Sequence, residues 1–550
     1  MILTPSSRSR ERAPALPGAL SVRQAALFVA VITCVAFLNS FWGRFVFDDV
    51  HEIERNPSME RLLPPWNAMF VGNKLPARPL PYLTFAIDHA IWGKKPFGYH
   101  GVNLLVHVIA ALALFHLLRL TLGSPRLRGR WGDRAVPLAM VIAMIWAVHP
   151  LQTQAVTYIY QRIESMTGMF CLVSLACFAQ AAATAARSPG SDWPRSWLAG
   201  SVAAAAAAMA SKESAVSLPL LILAYDWFFG PLPAGASWFA AVRRRGAFYL
   251  PLFATWGIIA LQLMLQASQY QEFDQETLTP FAYALTQAGV ILHYLRLAFW
   301  PVGQCFDSSG WPAAKSVGQV LPALTTILVL LAITALGAVW RRPWAALGVL
   351  FFLALAPTSS FMPIESVANE HRMYLALAAV VAGAVCGAIT LTAWIAARWP
   401  GIVLRDPRLP LGIAGGVILL LIVATQLRNQ VYGDVTRFWL DVLRQDDSNQ
   451  RANWSLAGVC DANGQTEIAL ILAEKALTRR PAAPVFRSLA EFHTKAGEYA
   501  TAIRMLRRGL EVQRAALGPD HEAVLGIKAD LAAVLRLAGE PQDREPEKAD

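Results

Sequence analysis

Two adjacent aspartates, Asp48 and Asp49, follow the first hydrophobic segment of the chain after only a few residues. A carboxylate this close to membrane hydrocarbon is costly to leave unpaired, and such groups usually have a function. An aspartate can serve as a general base for an attacking hydroxyl, and two partly dehydrated carboxylates raise each other's pKa towards useful values. In an extended loop their side chains point to opposite sides, so we expect one of them, preferably Asp48, to face a substrate. The alternative is a pair of solvated loop acids.

Basic side chains at the ends of other hydrophobic segments could bind a phosphate beside these acids. Arginine offers a planar fork that matches phosphate oxygens, and lysine offers a point charge. Most of these basic residues also have an acidic residue one or two positions away, and for Arg162, Lys212 and Arg372 an ion pair with that acid is the alternative. The phosphate-binding candidates are Arg78, Arg162, Lys212, His371 and Arg372; the neighbouring acids are Glu164, Glu213 and Glu370, of which Glu164 and Glu370 are further site candidates.

Three polar residues of the second hydrophobic segment, His100, Asn103 and His107, fall on nearly one helix face at spacings of three and four. Most such sets hold membrane helices together, and His100 is kept as a site candidate. A divalent cation at the aspartate pair is left open, although few further oxygen ligands lie near it in the sequence. The six cysteines show no spacing typical of a metal site, and no metal ligands are assigned.

The composition is that of a membrane protein with several spanning helices and a polar region attached. Of the 550 residues, 55% are hydrophobic and 15% are charged, and the mean hydropathy is +0.41. The formal net charge of +11 comes from the part before residue 428, where arginines flank the hydrophobic segments. This placement is a topology signal, so nucleic acid is not expected as a partner.

The flanking arginines orient about eleven spanning segments. Residues 1–24 are predicted to be a cytoplasmic basic N-terminus, followed by a transmembrane domain over 25–427 whose first outer loop, 42–98, carries the two aspartates. The segment 281–301 is amphipathic and is interpreted as an interfacial helix. The predicted spans are 25–41, 99–121, 135–150, 163–183, 196–210, 214–229, 247–268, 318–339, 343–358, 374–396 and 410–427, and the loops near 126–134, 243–245 and 398–408 are predicted to be cytoplasmic.

The polar region over 428–540 contains a repeat of 33 residues, followed by a polar tail over 541–550. Its period, its helical apolar spacing and its turn glycines are typical of tetratricopeptide helix pairs, with a third unit that shows only its first helix. The matched positions are Leu456, Gly464, Ala469 and Leu477, which recur as Leu489, Gly497, Ala502 and Leu510. An odd number of spans puts these repeats outside the cytoplasm. The fold class is therefore all-α, a polytopic membrane domain followed by an extracytoplasmic α-solenoid.

A series of segments in fixed order resembles one known family. These are FVFDDVHEIERNPSME, RPLPYLTFAIDHAIWG with GYHGVNLLVH, HPLQTQAVTYIYQRIES, SKESAVSLPLLILAYDW and PTSSFMPIESVANEHRMYLALA. They resemble the transmembrane-and-tetratricopeptide-repeat family of GT-C-type membrane glycosyltransferases and its bacterial relatives, over residues 25–540. The resemblance implies a multispanning enzyme that takes a sugar from a polyprenyl-phosphate carrier, with an acidic pair in the first outer loop near the reacting centre. Relatives of this family often carry more repeats, so the resemblance implies the membrane fold more directly than the binding of an acceptor by the repeats.

The function expected from these observations is sugar transfer from a polyprenyl-phosphate carrier to an acceptor hydroxyl, with protein Ser or Thr as one acceptor class. The partners are membrane lipid, the lipid-linked sugar and a protein or peptide held by the repeats. Localisation is multi-pass, in the inner or plasma membrane if the cell is bacterial. A membrane-anchored repeat scaffold without catalytic activity is the alternative. A transporter would place its polar residues near mid-membrane, whereas here they concentrate at segment ends.

Overall fold

Every regular element is helical in the computed structural model, which describes residues 20–70, 78–187, 192–232, 235, 237–266, 278–364, 366–399, 408–478 and 481–540. The all-α fold class is thereby confirmed for the described chain. Most of the predicted N-terminal basic segment, the acidic outer loop with Glu272, Asp274 and Glu276, most of the basic loop near 398–408, and the polar tail lie outside the described residues.

Each predicted span coincides with a helix, but not all are long enough to cross a membrane. Seven are, by length and composition: Val22–Trp42, Pro96–Leu122, Ile159–Arg187, Gly246–Leu265, Val317–Val339, Glu370–Arg398 and Leu411–Gly433. The bent pair Arg128–Ala147 and Pro150–Val156 would make an eighth. The predicted count of about eleven is larger because it includes three short helices, Arg195–Met209, Leu218–Phe229 and Ala345–Leu355. At about 1.5 Å per residue, none of them reaches the roughly 30 Å of a hydrocarbon core.

Two of the predicted cytoplasmic loops, near 126–134 and 243–245, lie at one end of the described helix bundle, together with Arg341. Arg126 donates from Nη1 to the carbonyl oxygens of Phe228, at 2.9 Å, and Arg341, at 3.0 Å. Arg245 pairs with the buried carboxylate of Asp226 near the same end. We call this the Arg126 end and the opposite one the Asp48 end. That basic loops meet at one end agrees with the arginine-based orientation, while the assignment of this end to the cytoplasm remains a prediction.

The helix Pro280–Phe299 contacts one loop along much of its length. The Tyr283 hydroxyl donates to the Thr358 carbonyl at 2.7 Å, and the Tyr294 hydroxyl accepts from the Asn369 N–H at 2.7 Å. Gln287, between them, donates to the Val367 carbonyl at 2.9 Å. A helix held to one loop over these turns lies along the Asp48 end, the arrangement expected of the predicted interfacial helix.

The C-terminal region forms the predicted helix pairs. Its helices are Gln450–Ala462 with Thr466–Ala476, Ala483–Lys495 with Tyr499–Leu517, and Glu522–Ala538. Gly464 and Gly497 occupy equivalent turns with φ of +76° and +80°, a conformation that favours glycine. Ala469 and Ala502 are fully buried where paired helices touch. The 33-residue period therefore reflects stacked helix pairs.

An amphipathic helix, Val435–Gln445, precedes the first pair, and we call it the linker helix. Its buried face carries Phe438, Trp439 and Val442, which join one apolar cluster with residues of the first outer loop and of the first repeat. Phe438 packs on Phe306 at 4.4 Å between ring centroids. The repeats are thus joined to the Asp48 end through a shared core, and not only through the chain.

Candidate functional site

Asp49 is the fully buried member of the aspartate pair. Its Oδ2 accepts from the Val46 N–H at 3.0 Å, and its Oδ1 accepts from the Tyr160 N–H at 2.7 Å. One carboxylate oxygen therefore fixes the turn within the first outer loop, and the other joins this loop to the segment before the helix Arg162–Arg187. This geometry gives Asp49 a structural role and leaves Asp48 as the member that can face a substrate.

Asp48 is partly exposed and lies among charged and hydroxyl groups from other elements. Its backbone N–H donates to the Tyr158 hydroxyl at 3.1 Å. Burial raises the pKa of its carboxyl to about 6; a side-chain hydrogen bond from Tyr158 and the charges of Arg451 and Arg78 oppose this rise, while Glu52 adds to it. A carboxyl with this pKa is ionised at neutral pH and can still accept a proton.

A second acid near Asp48 was not singled out from the sequence. Glu52 lies four residues further along, in the short helix Val50–Glu54, and its Oε2 accepts from the Tyr82 hydroxyl at 2.6 Å. The Tyr82 and Tyr160 hydroxyls are 3.4 Å apart. The only sequence signal was the position of Glu52 in the same acidic loop, because its tyrosine partners come from distant segments.

Arg78 and Lys212 meet at the Asp48 end because the helix Pro79–Trp92 begins against the turn after Met209. The Leu80 N–H donates to the Ala210 carbonyl at 3.3 Å. Arg78 pairs with Glu213 at 3.0 Å, and Lys212 pairs with Glu164 at 2.7 Å. The pairings suggested by sequence proximity, of Glu213 with Lys212 and of Glu164 with Arg162, are therefore wrong, since helix packing brings together residues that are far apart in the chain.

His371 completes this group, and we call Arg78, Lys212 and His371 the basic cluster. The charges of Lys212, Arg372 and Arg78 all act on the His371 ring. Within the described residues, His371 Nδ1 and Arg78 Nε are buried without a hydrogen-bond partner. Arg78 also acts electrostatically on Asp48. The loop acid and the basic cluster thus belong to one site.

Glu370 and Arg372, the neighbours of His371 in the sequence, bind other parts of the protein. Arg372 donates from Nη1 to the carbonyls of Val367, at 3.0 Å, and Thr358, at 3.1 Å, and from Nη2 to that of Ser366, at 2.6 Å. Glu370 accepts from the Gln304 side chain at 2.8 Å and from the Cys305 N–H at 2.6 Å. The suggested Glu370–Arg372 pair is not formed. With its guanidinium used by backbone carbonyls, Arg372 is poorly placed to bind a donor.

Arg162 and the polar face of the second span are enclosed in the bundle. Arg162 pairs with Asp88 at 2.6 Å, with both side chains almost fully buried, and donates from Nε to Asn103 Oδ1 at 2.6 Å. His107 Nδ1 lies 2.8 Å from the Tyr374 hydroxyl. His100 packs so closely on Gly43 that a Cβ there would lie 2.6 Å from its Nε2. These contacts hold parts of the protein together: Arg162 is enclosed by protein partners, and His100 packs on the backbone of Gly43. A site role for either residue stays a prediction.

Among the described residues, no group of three or more His, Cys, Asp or Glu side chains is arranged to hold a metal ion. Asp48 and Glu52 are the two carboxylates of the site, fewer than the ligand sets of protein-built divalent sites. A divalent cation at the aspartate pair stays a prediction.

Comparison with known proteins adds sequence similarity to this geometry. A tetratricopeptide repeat family model matches residues 481–543. Protein O-mannosyl-transferase TMTC4 of Mus musculus is 29% identical over 225 residues, which are 38% of this chain and 30% of that protein. Protein O-mannosyl-transferase Tmtc3 of Drosophila melanogaster is 31% identical over 251 residues, 41% of this chain and 26% of that protein. The chain resembles the transmembrane-and-tetratricopeptide-repeat family. This confirms the resemblance predicted from the order of the motifs.

The matches to these relatives cover less than a third of their length. Two solved structures are also similar. The Archaeoglobus fulgidus oligosaccharyltransferase aligns with a TM-score of 0.41 and 14% identity, over 77% of this chain and 56% of that one. ArnT from Cupriavidus metallidurans, bound to undecaprenyl phosphate, aligns with a TM-score of 0.35 and 13% identity, over 93% of this chain and 88% of that one.

Proposed function

We propose that the chain is an integral membrane glycosyltransferase that moves a sugar from a polyprenyl-phosphate carrier to an acceptor hydroxyl. One observation carries the proposal: a partly exposed carboxylate, Asp48, lies within electrostatic range of Arg78, which belongs to the basic cluster at the same end of the membrane helix bundle. The relatives named protein O-mannosyl-transferases support the same class of reaction. A scaffold would need no such grouping of ionisable residues from distant segments.

In the proposed reaction, Asp48 is the base. The acceptor hydroxyl oxygen attacks the anomeric carbon of the sugar, its proton passes to the Asp48 carboxylate, and the bond from the anomeric carbon to the phosphate oxygen breaks. A phosphate leaves as a stable anion, so this reaction needs one carboxylate base and cationic groups, unlike the acid and base pair of a glycoside hydrolase. Asp49 contributes by fixing the loop that carries Asp48.

The basic cluster would stabilise the departing phosphate. Arg78 Nε and His371 Nδ1 are buried and unpaired within the described chain, so each is available to a ligand without breaking a hydrogen bond. Lys212 contributes a point charge and is held in place by Glu164. Cations fixed in advance at the position where negative charge develops stabilise the transition state with little reorganisation.

The test is a transfer assay with purified full-length protein in lipid, using a set of polyprenyl-phosphate sugars and following release of the polyprenyl phosphate. We expect one donor to support transfer and the Asp48→Asn variant to lose about 99% or more of the rate, the usual scale for a general base. Donor binding should be retained by this variant. Full activity of Asp48→Asn would remove Asp48 as the base, and absence of both donor binding and transfer would favour the scaffold.

For the acceptor, we propose a protein or peptide chain held by the repeats, because stacked helix pairs form a surface suited to an extended polypeptide. Removing residues 481–550 keeps the linker helix and the first helix pair in place. This truncation should weaken transfer to a long polypeptide more than to a short peptide, with the folded fraction of both proteins measured in parallel. An equal loss for the two acceptors would assign the repeats to assembly.

We further propose that the Asp48 end and the repeats lie outside the cytoplasm. A cysteine introduced at Ala500, in a variant without the native cysteines, should react with a membrane-impermeant reagent from the outer side of intact cells. Reaction only after the membrane is opened would reverse the orientation.

A further inference from the structure

The residue before Asp48 has an unusual backbone conformation. Phe47 has a φ of +50°, in the left-handed region, which is unfavourable for a residue with a Cβ. Among the described residues other than glycine, only Arg341 shares this feature. Such a conformation persists only where the surroundings fix it, and it is often found at functional sites.

Two rings and one cation contact the Phe47 side chain. Its ring makes edge contacts with Phe306, at 5.7 Å between centroids, and with Trp439 of the linker helix, at 5.8 Å. The guanidinium carbon of Arg451, in the first repeat helix, lies 5.0 Å from the centre of the same ring. Phe47 is therefore packed between the membrane domain and the repeat region.

Arg451 is itself held in position. It pairs with Asp307 at 3.1 Å, and Asp307 is almost fully buried. Asn449, which caps the same repeat helix, also donates to the Asp307 carbonyl, at 3.4 Å. These contacts tie the start of the first repeat to the segment that carries Phe306.

We propose that the linker helix and the first repeat are part of the catalytic centre, because they hold Phe47 in its left-handed conformation and so position the Asp48 carboxylate. Phe47, Trp439 and Arg451 are positioning residues in this arrangement. Asp49 fastens the loop on its other side, through Val46 and Tyr160. The inference rests on the proposed role of Asp48 as the base.

Arg451 has a second effect that can be measured, because its charge acts on Asp48. Two arginines face Asp48: Arg78, before the helix Pro79–Trp92, and Arg451, in the first repeat. The other titratable groups that face it are Asp49, Glu52, Tyr158 and Tyr160. Of the two arginines, only Arg451 belongs to the repeats. Removing its positive charge raises the pKa of the Asp48 carboxyl, and the acid limb of the rate profile moves to higher pH.

The first experiment compares Arg451→Gln with Arg487→Gln in full-length protein, using the short peptide acceptor. Arg487 is a control within the repeats but away from Asp48, because it pairs with Asp530 between the second and third units; that pair is more exposed than the Arg451–Asp307 pair. We expect Arg451→Gln to lower kcat and move the acid limb upward, while Arg487→Gln changes neither. An unchanged pH profile in Arg451→Gln, or an equal change in both variants, would overturn the proposal.

The second experiment changes the backbone preference at Phe47. Asparagine tolerates the left-handed region and valine does not, while neither keeps the ring. We expect Phe47→Val to lower kcat by roughly 10- to 100-fold through misplacement of the base, Phe47→Asn to lower it less, and both to keep the donor Kd of the parent. Equal kcat values for the two variants would overturn the backbone argument. If Asp48→Asn is inactive while the Arg451 and Phe47 variants behave as the parent, this inference fails and the proposed function stands.

Discussion

Arg78 Nη2 and Glu213 Oε1 lie 3.0 Å apart although 135 positions separate them in the chain. The pair joins the part of the first outer loop just before the helix Pro79–Trp92 to the turn between the two short helices Arg195–Met209 and Leu218–Phe229. Lys212 lies in the same turn, so the contact also brings Arg78 and Lys212 to the same part of the site. Two helices too short to span the membrane fully thereby leave their connecting turn beside the proposed site.

Asp49→Asn should destabilise the protein, whereas Asp48→Asn should not. Asparagine can accept with one atom only, so one of the two backbone N–H groups bound by Asp49 would lose its acceptor, at a cost of about 1–3 kcal/mol. Burial also raises the pKa of the Asp49 carboxyl, so removing this carboxyl offsets part of that cost at neutral pH. The folded-state pKa of Asp48 is raised, so its ionisation disfavours folding as pH rises from its ordinary value to about 6. Replacing Asp48 by asparagine removes this pH-dependent loss of folding stability. Thermal unfolding at neutral pH measures both, and greater destabilisation by Asp48→Asn would contradict the division of roles.

The transfer rate should fall in acid with the titration of Asp48. A base acts only when deprotonated, and burial raises the pKa of this carboxyl to about 6. We expect kcat/KM to be constant above that pH and to decrease as pH falls through it, measured between about pH 5 and 8. The residual rate of Asp48→Asn is the control and should lack this limb. The same limb in that variant would mean that another group, in the protein or the substrate, is titrating.

The role of Lys212 can be separated from its ion pair with Glu164. Lys212→Met alone leaves a buried carboxylate without its partner, which costs stability as well as any ligand contact. The double variant Lys212→Met with Glu164→Gln removes both charges and should restore much of the stability. If Lys212 binds the donor phosphate, donor Kd should remain weakened in the double variant, as measured by titration with the lipid-linked sugar. Recovery of the parent Kd would assign Lys212 to structure.

Arg162 should affect stability and leave the donor Kd unchanged. It forms a buried pair with Asp88, and removing one partner of such a pair typically costs about 3–5 kcal/mol. Arg162→Met should therefore lower the unfolding temperature strongly, and the double variant with Asp88→Leu should recover part of the loss. A stable Arg162→Met protein with a weakened donor Kd would return Arg162 to the phosphate site.

Local sequence determined the elements of this protein. The hydrophobic segments, their flanking arginines, the 33-residue repeat and the serial motifs were sufficient to predict the helices, the end at which the basic loops meet and the family resemblance. Periodicity and charge placement act over a few helical turns, so they can be recognised without knowing which helices touch. The span count was less certain, because hydropathy does not separate a short helix from a complete crossing.

The tertiary structure determined which charged side chains pair with each other. Sequence proximity suggested Glu213 for Lys212 and Glu164 for Arg162, but packing paired Arg78 with Glu213, Lys212 with Glu164 and Arg162 with Asp88. The fold also buries Asp49 and leaves Asp48 partly exposed. It brings Arg451 to the Phe47 ring from about 400 positions away in the chain. The physical reason is that a buried charge is stabilised by whichever opposite charge or polar group the fold places within hydrogen-bond distance, and that distance is not encoded in local spacing.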